Sequence, residues 1–390
     1  MDNRVFVISC PDYDQSGEKT AELLDMMGGM ERFAASGESI ALKVNLLLAA
    51  RPEDAVTTHP EVVKAMASLV KGRGAAPLIV DSPGGGYRYS PKTLEKTYQK
   101  TGMTRAAEES GAELNWDCSH QLVSFPEGRL VKRFEVITPV LDADGVFNLC
   151  KLKTHMFTYM TGAVKNHFGV IPGLSKPGHH AKLRDTGRFA AMLLDLTELV
   201  GARLFIMDAV LTMEGEGPMA GEPRRVGLLL GSTNPVALDA VGGEIMGLDP
   251  ENNPVLVEAE KRGLGPTRLR DVDLVGIEAR SLRVRDFKGP STYYAGHGLG
   301  ASPWYVSLFL PLFKNGMSVR PKVDEKKCAA CGICVKACPM GAVALKEKRH
   351  AFIDDDLCIR CYCCHEMCPE KAIELRRGLL YRLIRPAGAV

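Results

Sequence analysis

The chain of 390 residues is 45% hydrophobic and 25% charged, and its formal net charge is +2. This composition is that of an ordinary globular protein and excludes an intrinsically disordered one. Only 6% of the residues are aromatic, and no basic patch is interleaved with them, so nucleic-acid binding is not expected. We expect neither a transmembrane segment nor a secretory signal, because the apolar runs are too short for either.

From residue 1 to about residue 280, short apolar runs alternate with segments of helical periodicity. Helices are predicted at residues 188–199, 234–247 and 253–263. The apolar runs lack an alternating polar face, which indicates strands that are buried on both faces of a sheet. We therefore predict an α/β fold with a largely parallel sheet flanked by helices. The runs are VFVIS, SIALKVNLL, PLIVDSP, GVFNLCKLK, RLFIMDAV, VGLLLGST and VDLVG.

Polar residues are concentrated after several of these strands, where ligands of parallel α/β sheets bind. The densest group begins directly after the run VFNLC and is rich in lysine and histidine. Such residues offer an anion clamp and a proton donor, which the two-electron reduction of a carboxylated or carbonyl substrate requires. The candidate catalytic residues are Lys151, Lys153, His155, Lys165, His167 and Asp208.

Other interpretations of the strand ends remain open. The histidines together with Asp208, Glu214 or Glu216 offer ligands for a metal ion, or these acidic residues form a solvated turn. The glycine-rich residues 82–86 offer backbone amides to a phosphate. A plain turn is favoured there, because neither a P-loop nor a dinucleotide-binding motif accompanies the glycines.

Eight of the twelve cysteines form two runs with the same spacing, Cys-x2-Cys-x2-Cys-x3-Cys-Pro, thirty residues apart. In bacterial ferredoxins, the fourth cysteine of each such run ligates the other cluster, so we predict two [4Fe-4S] clusters. Zinc is disfavoured, because four ligands per ion would leave the third close cysteine of each run unused. The ligands are predicted to be Cys328, Cys331, Cys334 and Cys368 for one cluster, and Cys358, Cys361, Cys364 and Cys338 for the other.

Four regions follow from these patterns. They are an α/β body (1–280), a linker (281–325), a small α+β ferredoxin-like two-cluster module (326–376) and a basic tail (377–390). The apolar residues 304–313 of the linker are predicted to pack the module onto the body, since they are too few to cross a bilayer.

The cysteines outside the two runs and the basic residues of the C-terminal region bear on location and partners. Cys363 aligns with an apolar residue of the first run and is predicted to be a buried free thiol. The other cysteines are scattered, which indicates a reducing compartment, the cytoplasm. The excess of basic residues after residue 320 suits either an acidic redox partner protein or a solvated surface.

The body contains, in this order, the segments KVNLL, THPEVV, APLIVDSPGG, NLCKLKTH, TGAVKNHFGVIPG, DAVLTMEGEGP and NPVALDAV. This ordered set resembles the family catalogued as domain of unknown function 362, over about residues 1–280. Members of that family often carry a C-terminal two-cluster ferredoxin module. The resemblance implies an iron–sulfur protein of anaerobic or facultative metabolism, and it assigns neither a reaction nor catalytic residues. A more distant likeness, to the folds of nickel-dependent racemases, rests on the lysine and histidine content alone.

Three functions are compatible with these features. The leading hypothesis is an iron–sulfur oxidoreductase that relays single electrons to a small-molecule substrate or a second cofactor in the body, since a tethered ferredoxin is a donor at high effective concentration. The alternative is a non-catalytic electron carrier, or a factor that assembles clusters or metals, docked on a partner complex. The third is metal-dependent catalysis without redox chemistry. A pocket that gathers the candidate residues near a cluster would favour the first.

Overall fold

The computed structural model of the chain describes residues 2–293, 319–347 and 349–378. Residues 304–313, which are predicted to pack the module onto the body, and the tail from residue 379 onward lie outside the described residues. The strands of the body are Arg4–Ser9 (β1), Ser39–Lys43 (β2), Ala76–Val80 (β3), Glu113–Leu114 (β4), His120–Ser124 (β5), Arg133–Ile137 (β6), Gly145–His155 (β7), Tyr159–Thr161 (β8), Leu204–Glu214 (β9), Glu222–Ser232 (β10) and Asp273–Val275 (β11).

Three helices of the body lie at the predicted residues 188–199, 234–247 and 253–263. The helices are Ser16–Met26 (α1), Pro60–Gly72 (α2), Pro91–Thr101 (α3), Met103–Ser110 (α4), Thr138–Leu141 (α5), Ala163–Asn166 (α6), Lys176–Lys182 (α7), Thr186–Val200 (α8), Pro235–Ile245 (α9) and Pro254–Arg262 (α10).

Nine strands form one mixed sheet in the order β11-β1-β10-β9-β7-β2-β3-β4, with β8 paired to the end of β7. From β9 to β4 all neighbours run parallel, which confirms the predicted α/β class with a largely parallel sheet. The antiparallel members are β10, which is antiparallel to both β1 and β9, and the short strand β8, which is antiparallel to the end of β7. Residues 215–221 join β9 to β10, and so short a connection permits a hairpin but no helical crossover.

Strand β7 is central to the sheet, and each of its eleven residues is buried. Its alternate side chains enter the two hydrophobic cores on opposite faces of the sheet: Leu149 belongs to one core, whereas Cys150 and Leu152 belong to the other. Burial on both faces explains why the sequence of β7 has no polar alternation before Lys151.

Helices α9 and α10 both begin with an Asn-Pro pair. Asn234 and Asn253 each accept hydrogen bonds from backbone amides in the first helical turn through their side-chain oxygens. Proline at the first helical position has no amide hydrogen to leave unsatisfied. These local signals explain why the two helices were predictable from sequence.

The ferredoxin-like module contains two small antiparallel sheets and two short helices. Its elements are the strands Val319–Val323 (β12), Val343–Lys346 (β13), His350–Ile353 (β14) and Ile373–Arg377 (β15), and the helices Ile333–Ala337 (α11) and Cys363–Glu366 (α12). Strand β12 pairs with β15, and β13 pairs with β14. Each helix contains the third cysteine of its run, Cys334 or Cys364, so the internal repeat of the sequence is also a repeat of structure.

Asp239 of α9 positions the short helix α6, and replacing it with alanine is expected to destabilise the fold. Its carboxylate accepts hydrogen bonds from the amides of Ala163 (2.5 Å) and Val164 (3.1 Å), the first residues of α6. Asp239→Ala leaves both buried amides without a partner, at an expected cost of about 1–3 kcal/mol in the free energy of unfolding. Denaturant unfolding under anaerobic conditions measures this cost. Asp239→Asn keeps an acceptor oxygen and should lose less; an alanine variant as stable as wild type would contradict this role.

Candidate functional site

The eight cysteines of the two runs surround two cavities in the module. One cavity is lined by Cys328, Cys331, Cys334 and Cys368, and the other by Cys338, Cys358, Cys361 and Cys364. Each cavity thus receives three cysteines from one run and the fourth from the other run. These are the two ligand sets that the sequence spacing predicts.

The loops between the close cysteines have an unusual backbone that is the same in both runs. Ala330 and Gly332 have φ angles of 51° and 72°, and the equivalent Arg360 and Tyr362 have φ angles of 58° and 62°. Three of these four residues carry a side chain, and such residues rarely adopt the left-handed region. Loops of this kind direct successive amides toward an anion.

Backbone amides also reach the cysteine sulfurs directly. The amide of Ala351 lies 3.3 Å from Cys328 Sγ, and that of Ala342 lies 3.2 Å from Cys338 Sγ. Amide hydrogen bonds to the sulfurs are among the features that set the potential of iron–sulfur clusters. Four soft thiolate donors around each cavity, with amides directed at the sulfurs, fit iron–sulfur clusters.

A third and larger pocket lies between the body and the module, with about 620 Å³ of empty space including its open mouth. The body contributes the ends of β2, β3 and β7 together with α6 and α7, and the module contributes α12 and the residue after it. The lining residues include Asn45, Asp81, Ser82, Lys153, His155, Thr161, Lys165, Phe168, Lys176, Pro177, His180, Pro218, Cys363, Glu366 and Met367.

The module closes this pocket by packing on the glycine-rich residues 82–86. A Cβ atom added to Gly84 would lie 2.6 Å from Met367 Sδ, and one added to Gly86 would lie 3.0 Å from the Cβ of Ala337. Glycine is required at residue 86, where φ is 92° and an added Cβ would also meet the Ile333 carbonyl, whereas at Gly84 it would displace the flexible end of Met367. Contact with the module thus explains Gly84 and Gly86 without a phosphate ligand.

Three lysines line the pocket, and burial lowers the pKa of each. Lys153 Nζ donates to Asn45 Oδ1 (3.1 Å) and to a backbone carbonyl. Lys176 Nζ donates to Ser82 Oγ (2.6 Å) and to two backbone carbonyls, and burial lowers its pKa to about 7. Lys165 Nζ lies 5.1 Å from the centre of the Phe168 ring and makes no hydrogen bond with any described residue.

His155 lies at the end of β7 and faces the module. Its Nδ1 accepts hydrogen bonds from the amides of Phe157 (3.1 Å) and Thr158 (3.4 Å), so the proton of the neutral ring is on Nε2. Nε2 lies 3.4 Å from Glu366 Oε1. Burial, followed by the charge of Lys165, lowers the pKa of His155 well below its usual value. The ring is therefore neutral near pH 7 and presents an N–H group to the pocket.

Lys151 and Asp208 do not reach this pocket. Lys151 Nζ lies 2.7 Å from Asp208 Oδ2 in a fully buried ion pair. Tyr13 donates its hydroxyl hydrogen to Asp208 Oδ1 (2.9 Å), and the amide of His59 donates to Asp208 Oδ2 (3.0 Å). The rings of Tyr13 and His59 stack with centroids 3.4 Å apart. These four residues form a separate network in which the ion pair is buried and the two rings are half-buried.

His167 also lies apart from the pocket, in the core beside α8. Its two ring nitrogens lie 3.0 Å from Asn148 Nδ2 and 3.0 Å from Thr197 Oγ1. Burial lowers the pKa of His167 to about 3. A neutral ring with both nitrogens hydrogen-bonded suits a packing role.

The acidic residues offered as metal ligands do not gather around the histidines either. Glu214 Oε2 accepts a hydrogen bond from the amide of Lys288 (3.1 Å), and Glu216 Oε2 accepts one from Ser291 Oγ (3.0 Å). The backbone carbonyl of Glu216 lies 3.2 Å from Nε2 of His365 in the module. This loop therefore holds the module against the body.

Three of the six candidate catalytic residues, Lys153, His155 and Lys165, thus line one pocket. Sequence reasoning did not select Lys176, Glu366 or Cys363 for this site. Lys176 follows no strand, and Glu366 belongs to a run interpreted only as a cluster motif. Cys363 is buried, as predicted, and it also lines the pocket. A comparison of the two cysteine runs could have indicated Cys363 and Glu366. At these two positions the second run differs from the first, which has an apolar residue and a lysine there.

In the described ranges, no helix combines the length and the apolar composition that a membrane span requires. A curated relative, the "Thylakoid-associated protein sll1697" of Synechocystis sp., is 38% identical over 251 residues, which are 63% of this chain and 74% of that protein.

Two solved structures are similar at low identity. The lactate racemase apoprotein of Thermoanaerobacterium thermosaccharolyticum is 12% identical, with a TM-score of 0.40 over 62% of this chain. A Thermotoga maritima protein from a structural genomics consortium is 15% identical, with a TM-score of 0.36 over 57% of this chain. The chain spans just over half of each of these two proteins, 56% in both cases.

Two family models match the chain. The model described as a 4Fe-4S dicluster domain matches residues 327–373, which contain both cysteine runs. The model described as a domain of unknown function (DUF362) matches residues 40–244, which are more than half of the chain and include β2 to β9 and the pocket residues of the body. The protein is therefore a member of the DUF362 family whose body is joined to an iron–sulfur ferredoxin domain.

Proposed function

We propose that this protein is an iron–sulfur oxidoreductase that reduces a small molecule bound in the pocket between the body and the module. The observation that carries the proposal is the composition of the pocket wall on the module side. Cys363, Glu366 and Met367 line the pocket, and they alternate along the chain with Cys364 and Cys368, which belong to different cluster cavities. A ligand in the pocket would contact the segment that ligates both clusters.

When bound, two [4Fe-4S] clusters would supply the electrons one at a time. The residues of the pocket have other tasks. Lys165 and Lys176 would hold a negatively charged part of the substrate, and His155 would direct its Nε2 proton toward the group that is reduced. The docked module limits access of water, which strengthens each of these electrostatic interactions.

The proposal is tested with the purified holoprotein, reduced anaerobically with dithionite. Low-molecular-weight metabolite fractions from the producing cells are added, and the return of the oxidised visible absorbance is followed. We expect one or more fractions to reoxidise the wild-type protein. His155→Ala and Lys165→Ala should slow this reaction by about 100-fold or more, the usual contribution of a positioned proton donor or charge. Their iron content and visible spectrum should stay unchanged.

Lys92→Ala is the matched control, because Lys92 is exposed on α3 and does not line the pocket. It should react at the wild-type rate. Reoxidation that requires a protein fraction, and that is equally fast in all four proteins, would overturn the proposal and identify an electron carrier with a partner protein instead.

A further inference from the structure

We propose that the pocket between the body and the module binds a small organic carboxylate, held by Lys165 and Lys176. A carboxylate is thus the proposed substrate class of the pocket. Its binding is independent of the proposed function, and only its assignment as the molecule that is reduced rests on that function. The chemistry needs two electrons from the clusters, replenished by a low-potential protein or chemical reductant, and two protons for each double bond reduced.

The pocket has an excess of buried positive charge. Five lysines lie at this end of the sheet, and two of them are neutralised: Lys43 lies 2.9 Å from Asp81 Oδ1, and Lys151 is paired with Asp208. The other three are the pocket lysines, Lys153, Lys165 and Lys176. Among the described residues, no carboxylate lies within salt-bridge distance of any of these three.

The hydrogen-bond acceptors of Lys153 and Lys176 carry no negative charge either. Within the described part of the chain, Lys153 and Lys176 donate only to neutral oxygens, and Lys165 donates to no residue. A buried ammonium group that is not paired with an anion is costly. This cost is avoided if the lysines lose their protons or if an anion binds in the pocket. A bound anion would accept a charge-assisted hydrogen bond from the Lys165 ammonium group, which has no other acceptor among the described residues.

The same walls carry buried polar atoms that the described residues leave unsatisfied. Among the described residues, buried Thr161 Oγ1 and His180 Nδ1 have no hydrogen-bond partner, and buried Glu366 Oε1 has only the 3.4 Å approach of His155 Nε2. Thr161, His180 and Glu366 are 3%, 3% and 6% exposed. Buried polar atoms are nearly always hydrogen-bonded, so three exceptions around one pocket indicate a ligand with polar groups of its own. A carboxylate that also carries a hydroxyl group would satisfy them, because a hydroxyl group both donates and accepts hydrogen bonds.

The apolar part of the wall distinguishes an organic anion from an inorganic one. Phe168, Pro177, Pro218 and Met367 line the pocket beside the lysines. These side chains offer no hydrogen bonds and would remain uncovered around a phosphate ion. Pockets for small organic ligands combine such surfaces with a few placed polar groups.

Isothermal titration calorimetry of the oxidised, anaerobic holoprotein tests the proposal without any need for turnover. The probes are benzoate and succinate, each compared with its neutral amide, and inorganic phosphate. We expect at least one carboxylate to bind about tenfold or more tightly than its amide and than phosphate. Lys165→Met and Lys176→Met should each weaken that binding by about tenfold or more, since each removes a buried charge partner.

Lys92→Met is the control and should bind like the wild type, and the visible spectrum of each variant reports whether it is folded and loaded. Equal binding of acid and amide, absence of carboxylate binding, or preference for phosphate would overturn the carboxylate proposal. If the protein binds a carboxylate but no metabolite reoxidises it, the proposed function is wrong and the carboxylate proposal stands. If a neutral metabolite reoxidises the protein and no carboxylate binds, the carboxylate proposal is wrong and the proposed function stands.

Discussion

Cys338→Ala and Cys368→Ala are each expected to lose one cluster, and the lost cluster should be the one whose other three ligands lie in the opposite run. Cys338 shares its cavity with Cys358, Cys361 and Cys364, and Cys368 shares the other cavity. Loss of one thiolate leaves three ligands for a cluster that takes four. Iron analysis of anaerobically purified protein should fall from about eight to about four atoms per chain in each variant.

Cysteine alkylation followed by mass spectrometry identifies which cluster is lost. In Cys338→Ala, the close cysteines of the second run should become reactive, whereas Cys328, Cys331 and Cys334 should stay protected. Cys368→Ala should give the opposite pattern. Cys363→Ala is the matched control, because Cys363 lines neither cysteine cavity, and it should retain all of its iron. If Cys328, Cys331 and Cys334 become reactive in Cys338→Ala, each run ligates its own cluster and the predicted exchange of the fourth ligand is wrong.

The fold was largely predictable because its signals are local. Strands buried on both faces read as unbroken apolar runs, and helices such as α9 carry their own capping residues. The antiparallel direction of β10 was not predicted. An apolar run does not specify its neighbours or its direction, and only the shortness of residues 215–221 indicates a hairpin.

The candidate site was predictable in part, and strand geometry explains the division. Lys151, Lys153 and His155 alternate along β7, so their side chains project from the same face. Lys153 lies about 6–7 Å further along the strand than Lys151, and His155 lies the same distance beyond Lys153. Lys151 is therefore deeper in the sheet than the other two. Lys151 therefore meets Asp208 of β9, whereas Lys153 and His155 reach the pocket at the end of the strand.

The contribution of the module could not be read from the sequence of either part alone. Glu366 lies more than two hundred residues from His155 in the chain, and no local pattern connects them. They approach because Gly84 and Gly86 admit Met367 and α11 to close contact. A glycine-rich loop after a strand indicates close approach of some group, and only the structure identifies that group as the module.

Asp208→Ala is expected to be strongly destabilising, because Lys151 and Asp208 form a structural pair rather than a part of the pocket. Both side chains are completely buried, and Asp208 also accepts hydrogen bonds from Tyr13 and from the amide of His59. The variant leaves the buried Lys151 ammonium without an anionic partner, with only its hydrogen bond to the neutral Tyr13 hydroxyl (2.9 Å). Removal of one member of a buried pair typically costs about 3–5 kcal/mol. Denaturant unfolding of the anaerobic holoprotein, compared with wild type, measures the loss.

The double variant Lys151→Met/Asp208→Leu tests whether Lys151 and Asp208 have a structural or a catalytic role. It removes both charges and fills the space with apolar side chains, a replacement that is often neutral or stabilising in protein interiors. We therefore expect it to recover most of the stability that Asp208→Ala loses, although Tyr13 still lacks its acceptor. If the pair only supports the fold, the double variant should also bind carboxylates and accept metabolite-dependent reoxidation as wild type does. A stable double variant that has lost both would place Lys151 and Asp208 in the reaction, as the sequence alone first indicated.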